Sequence, residues 1–217
     1  VPIFITSLRA PAREISDAVH SYGGIVLHDV INLRHAQKAL EAGVDGLILV
    51  AAGAGGHAGT TSPFALVGEV RRIFDCPIVL SGAIANGGSI LAAQAMGADL
   101  AYMGTRFIAT REAHAVDDYK RAIVNASASD IVYTNLFTGV HGNYIRESIV
   151  NAGLDPEALP VSDKTAMNFA SDKAKAWKDI WGAGQGVGLM DDVPSVAELV
   201  ERLKREYDDA RERLSLR

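Results

Sequence analysis

"GLILVAAGAGGHAG", residues 46–59, begins as an unbroken apolar run and ends in a glycine-rich loop around one histidine. An apolar run without alternation fits a strand buried on both faces of a parallel sheet. Its neighbours repeat the pattern. β-rich runs stand at "VPIFITSL" (1–8), "GIVLHDV" (24–30), "PIVLSGA" (77–83) and "LAYMGTRF" (100–107). Between them lie amphipathic stretches with helical spacing: "AREISDAVHSY", "NLRHAQKALEA", "FALVGEVRRIF" and "GSILAAQAMGA". Several end at Gly, a common helix stop. The unit returns every ~20–30 residues, as successive βαβ units do. The expected fold is α/β, with helices outside a parallel sheet.

Five such strands can be counted. A (β/α)8 barrel needs eight, usually in ~250 residues. Beyond Arg111 the pattern breaks. "DIVYTNLF" offers one more strand, and 112–217 otherwise reads as helix and loop. The sequence fits either an open α/β sheet or the C-terminal part of a barrel. The start at Val1, directly in a strand, favours the second.

With 217 residues and 48% hydrophobic content, the chain can bury one sizeable core in one or two domains. A net charge of −5 and the lack of a long basic run argue against a nucleic-acid or anionic-membrane partner. Cys76 is the single cysteine, so an internal disulfide and a cysteine metal cluster are excluded. That fits a reducing compartment. No apolar stretch approaches the ~20 residues that span a bilayer, and the start lacks signal-peptide features. A soluble cytoplasmic protein is expected. The tail, "ELVERLKREYDDARERLSLR" (198–217), reads as a solvated charged helix.

In parallel α/β folds the chemistry sits at the C-terminal ends of the strands. In chain order those ends carry Ser7, then His28 and Asp29, then "GAGGHAG" (53–59), "SGAIANGG" (81–88) and "GTRF" (104–107). Alone, "SGA" or "MGT" makes a tight turn. One βα unit apart, at matching strand ends, the pair makes a cup of backbone N–H groups, with hydroxyls from Ser81 and Thr105, suited to a phosphate. His57 faces the same mouth and can take a proton near neutral pH. Gly55 and Gly56 would let a planar ligand approach the backbone. A loop histidine that merely caps a helix is the competing explanation. His20, His35 and His114 lie on helical stretches and read as solvated. His28 points from a strand end toward the site, and His141, in "FTGVHGNY", belongs near the mouth. Asp45 and Asp99 precede strands, at the opposite end, and read as structural.

Other chemistries fit poorly. "GAGGHAG" has Ala58 where the dinucleotide fingerprint needs its third glycine, "GAGQGVG" (182–188) fails similarly, and no P-loop exists. No H-x-x-x-H pair or carboxylate cluster suggests a metal, and no G-x-S-x-G elbow suggests a hydrolase.

"GLILVAAGAGGHAG", "PIVLSGAIANGGSILAAQAMGAD" and "AYMGTRF", followed by "WGAGQGVGL", together resemble the nitronate monooxygenase family, formerly the 2-nitropropane dioxygenases. A sister group, the FMN-dependent enoyl-acyl-carrier-protein reductases, shares these motifs. The resemblance implies a TIM-like barrel with an added helical domain and non-covalent FMN. It makes residues 1–111 strands four to eight of the barrel, 112–181 a helical substrate-side domain, and 182–217 a return segment with a C-terminal helix. Five strands cannot close a barrel, and homo-oligomerisation is one way to cover the open edges. The resemblance gives His57 the role of catalytic base. It assigns Ser81, Gly82, Ala83, Gly104 and Thr105 to the FMN phosphate, with Gly55 and Gly56 against the ring. The implied activity is oxidation of nitroalkanes or alkyl nitronates by O2 to carbonyl compounds and nitrite, with His141, Tyr144 and Phe137 on the substrate side. Phe137 and Tyr144 could equally pack the core, as Trp177 and Trp181 are expected to do. The alternatives are an NAD(P)H-dependent reductase of enoyl thioesters or quinones, and an inactive FMN- or phosphate-binding module. One departure stands out: Ala83 replaces the family's second glycine in A-G-G-I. A methyl is tolerated there if the backbone has φ below zero.

Overall fold

The computed structural model describes residues 1–162 and 178–215. A five-stranded parallel sheet forms its frame. The strands are β1 (Ile3–Thr6), β2 (Ile25–Val30), β3 (Gly46–Val50), β5 (Ile78–Ser81) and β6 (Leu100–Tyr102), paired in that order. These are the five apolar runs of the sequence. A two-residue strand, β4 (Gly56–His57), leaves the sheet after β3 and pairs elsewhere. Helices α1 (Arg13–His20), α2 (Leu33–Glu41), α3 (Pro63–Arg71) and α4 (Gly87–Ala95) make the crossovers. Asn32 caps α2 by accepting the His35 N–H, and Asn86 with Ser89 forms a capping box on α4.

Strand residues alternate between two faces, and the faces differ. Val26, Val30, Leu47, Leu49, Ile78 and Leu80 pack beneath the helices as the main core. The other face has only a small cluster of Leu27, Ile48 and Val79 at its centre. Around that centre, on the same face, Ile3, Ile5, Ile25, Leu100 and Tyr102 are exposed. The sheet is therefore apolar on both sides but covered by helices on one.

The stretch 112–181, expected to be helical, also holds strands. After α5 (Thr105–Ile108) and α6 (Asp117–Asn125) come β7 (Ile131–Thr134), β8 (Gly142–Ile145) and α7 (Arg146–Asn151). β7 and β8 form an antiparallel pair, and β4 joins β8 through Gly56↔Asn143 and His57↔Gly142. "DIVYTNLF" is thus a strand, but of this second sheet. α8 (Val196–Ser215) packs on α4, so closely that a Cβ on Gly87 would lie 2.3 Å from the Leu203 carbonyl oxygen.

Asp45 and Asp99 have the structural parts expected of them. Asp45 accepts the Val26 N–H at 2.7 Å and meets His20 Nε2 at 2.8 Å. Asp99 accepts the Ile78 N–H at 2.8 Å and pairs with Arg71 at 2.5 Å. Trp181 is half-buried and stacks on Tyr119, with ring centroids 5.2 Å apart. Trp177 lies outside the described residues. His114 is exposed in the loop before α6 rather than on a helix. Among the described residues no helix is long and apolar enough to cross a membrane.

Candidate functional site

The loop after β3 is where three chain segments meet. The Gly53 carbonyl accepts the N–H of Ala83 at 3.2 Å and of Gln185 at 2.9 Å. The Thr105 hydroxyl oxygen accepts the Gly184 N–H at 3.0 Å, and the buried Asn143 amide donates to the Ala54 carbonyl at 2.6 Å. Glycine is needed for this closeness. A Cβ on Gly55 would stand 2.8 Å from the Gly184 nitrogen, and one on Gly184 would stand 2.6 Å from the Gly53 oxygen. Gly53 and Gly56 also have φ of +84° and +68°, where a side chain is strained. This modifies the reading from sequence. Chain-to-chain packing already accounts for Gly55 and Gly56, apart from any flat ligand.

The strand ends do converge into a cup. Ser81, Gly82, Ala83, Gly104 and Thr105 line one depression together with Gly55, and Gly53, Gly184 and Gly186 complete it. Gly56 stands outside it, paired in β4. A side chain on Gly104 would meet nothing within 4 Å, so the wall there is open. Thr105 accepts from Gly184, which leaves its hydroxyl hydrogen for a further acceptor. Ala83 contradicts the condition set by its sequence: its φ is +53°, the left-handed region. Its own N–H is spent on Gly53, so it shapes the cup without donating into it. Small residues, two hydroxyls and open space over Gly104 suit a phosphate group. The residues present thus fit the phosphate end of a flavin nucleotide.

His57 lies at the other end of the same loop and lines a separate cavity of ≈ 250 Å³. Its Nε2 is 2.8 Å from the Thr138 hydroxyl oxygen. The same hydroxyl lies 3.0 Å from the Val140 carbonyl, so its one hydrogen serves that carbonyl or His57 Nε2, and the imidazole tautomer follows that choice. Burial holds the imidazole pKa below its ordinary value, so the ring is neutral at pH 7 and competent as a base.

The other expected residues divide. His141 lines the cavity and stacks on Tyr133 with centroids 5.0 Å apart, and the Tyr133 hydroxyl donates to the Ala58 carbonyl at 3.0 Å. Tyr144 does not line it. It is fully buried, edge-on to Phe137, with ring centroids 5.1 Å apart. His28 turns to the helix-covered face and binds the Thr6 hydroxyl at 2.7 Å, so it does not face the site. His35, expected to be solvated, is half-buried and lines the cavity with Asp29 and Ser7. Thr138, Asn143 and Gly184 went unread, although "GAGQGVG" held a usable signal in its glycine spacing. A larger groove beside α8 has exposed, mutually paired charges such as Arg111–Glu198 for walls, and no convergent chemistry.

Known proteins resemble this chain along most of its length. The sequence model of one family, described as nitronate monooxygenase, matches residues 1–206. A nitronate monooxygenase of Paraburkholderia phytofirmans is 30% identical over 94% of this chain and 60% of its own length. The chain thus spans about three fifths of that relative. Nitroalkane oxidase from Streptomyces ansochromogenes superposes with a TM-score of 0.82 at 27% identity, covering 99% of this chain and 66% of the other. FabK from Thermotoga maritima gives a TM-score of 0.78 at 26% identity, covering 99% and 70%.

Proposed function

Since this chain belongs to the nitronate monooxygenase family, we propose that it is the flavin-facing part of an FMN-dependent enzyme that oxidises nitroalkanes and alkyl nitronates with O2. The observation that carries this reading is one loop, 53–57, that lines the cup with its glycines and sets a neutral histidine in a cavity with its other end. The sheet would be strands four to eight of a barrel, its uncovered apolar face being the barrel interior. Segment 112–181 would stand on the substrate side through Thr138 and His141, and 182–186 would return to close the cup.

In this reading Ser81, Gly82, Gly104 and Thr105 hold the FMN phosphate. When bound, FMN supplies the redox chemistry that turns a nitronate and O2 into a carbonyl compound and nitrite. The chain supplies placement and proton handling. His57 takes the α-proton of a neutral nitroalkane, and its hydrogen bond with the Thr138 hydroxyl orients the ring. Burial keeps the imidazole neutral before the reaction.

His57→Ala should cost at least about 100-fold in kcat/KM for nitroethane, the range for losing a general base. Oxidation of preformed ethyl nitronate should fall far less. Equal losses on both substrates would remove the base role. The likeness to FabK keeps a second reading in view, an NAD(P)H-dependent reductase of enoyl thioesters or quinones. Reduction of bound flavin by NAD(P)H without O2 would favour it.

A further inference from the structure

Ser7, Leu8 and Arg9 follow β1 in direct succession, and all three line the His57 cavity. A strand sends neighbouring side chains to opposite faces, so three in a row reach one cavity only where the chain reverses tightly. It does so here. The Arg9 N–H donates to the Ser7 carbonyl at 3.0 Å, around Leu8 with φ of +71°. That is the strained form of the γ-turn, rare in proteins. Leu8 and Ala83 are the two non-glycine residues with positive φ among the described residues, one at the cavity and one in the cup. Strain of this kind gathers at ligand sites. A glycine would adopt the turn without strain. Leu8 instead holds a branched apolar side chain there, 55% exposed. The free chain thus carries two costs at one residue, a strained backbone and a wetted apolar side chain, and a ligand that covers Leu8 removes the second. Ile31, Val50, Ala58 and Val140 line the same cavity, so Leu8 extends an apolar wall.

We propose that Leu8 determines which substrate the cavity takes, by covering the uncharged alkyl tail of a nitroalkane or nitronate whose nitro-bearing carbon lies at His57. This rests on the function proposed above and adds the chemistry of the tail to it. Head and tail are read by different residues of one cavity. The histidine handles the proton on the carbon beside nitrogen, and the apolar wall gains from each methylene it takes out of water. That gain is about fourfold in affinity per methylene. A cavity of ≈ 250 Å³ admits only a short chain, so the gain ends once the tail outgrows it. The γ-turn already fixes the backbone of Leu8, which leaves only its side chain to be ordered on binding.

Methyl NMR of the chain labelled at leucine, with Leu8→Met to assign the signals, tests this without catalysis. Nitroethane, 1-nitropropane and 1-nitrobutane, added in turn with FMN present, should move the Leu8 methyls saturably. Kd should fall about fourfold per added methylene. Leu8→Gly, which frees the turn of strain, and Leu8→Ala, which keeps it, should still bind nitroethane and lose most of the gain with length. The rise of kcat/KM with chain length should flatten in both variants. Leu8 methyls that no nitroalkane moves, or an unchanged slope in both variants, would overturn the proposal even if the chain oxidises nitronates. Tighter binding of 4-nitrobutanoate than of 1-nitrobutane would also overturn it, by placing the tail on the Arg9 guanidinium. Leu8 shifts with the full slope in a chain that oxidises no nitronate would uphold the tail site and refute the nitronate chemistry instead.

Discussion

Ala83 has a left-handed backbone, with φ of +53°, in a position where the family pattern has glycine. A Cβ in that region costs roughly 1–2 kcal/mol, while glycine loses more chain entropy on folding. Ala83→Gly should therefore be neutral to stabilising by up to about 1 kcal/mol, read as a Tm no lower than wild type. A clear drop in Tm would contradict the strain. His57 makes a pH prediction. Its folded pKa is lowered by burial, so the unfolded chain binds the proton more readily. Its contribution to stability is present above the unfolded value of about 6.5 and is lost as pH falls toward the folded value. The stability difference between wild type and His57→Gln, from urea titrations, should therefore shrink from pH 8 to pH 5. A constant difference would deny the shift. His57 was legible in sequence because glycines isolate it at a strand end. Thr138 was not singled out, since a hydroxyl's partners exist only in three dimensions, whereas Asp29 was named with His28 at the end of its strand.

The five parallel strands were legible because each is a continuous apolar run, and helices α1 and α2 because each shows an amphipathic face. β4 was not. Two residues, Gly56–His57, carry no strand signal, and their pairing is imposed by β8. The segment 182–186 docks onto the β3 loop, where a Cβ on Gly55 or Gly184 meets backbone and one on Gly53 meets the Gln185 and Ala83 side chains. Gly184→Ala should then destabilise by about 2 kcal/mol or more, the upper range for overpacking. Gly68→Ala, within α3 and with nothing within 4 Å, should stabilise by about 0.5–1 kcal/mol. Urea midpoints at constant m would rank the two. If Gly184→Ala is silent, the docking of that segment on the cup is wrong.

At the scale of the molecule, one face of the sheet is sealed by helices and the other is apolar, with an exposed margin. Strands apolar throughout predict burial on both faces, and the described residues cover one of them. The sequence count of five strands held, while the site it served became two adjoining spaces, a cup and a histidine cavity, rather than one mouth. In the function proposed above, a flavin nucleotide reaches from the cup to the histidine cavity. Mixing the chain with FMN and following the flavin spectrum, first alone and then with ethyl nitronate in the absence of O2, tests it most directly. Saturable binding that Gly104→Glu abolishes, and bleaching of the bound flavin by nitronate, are expected. A spectrum identical to free FMN at every protein concentration would contradict it.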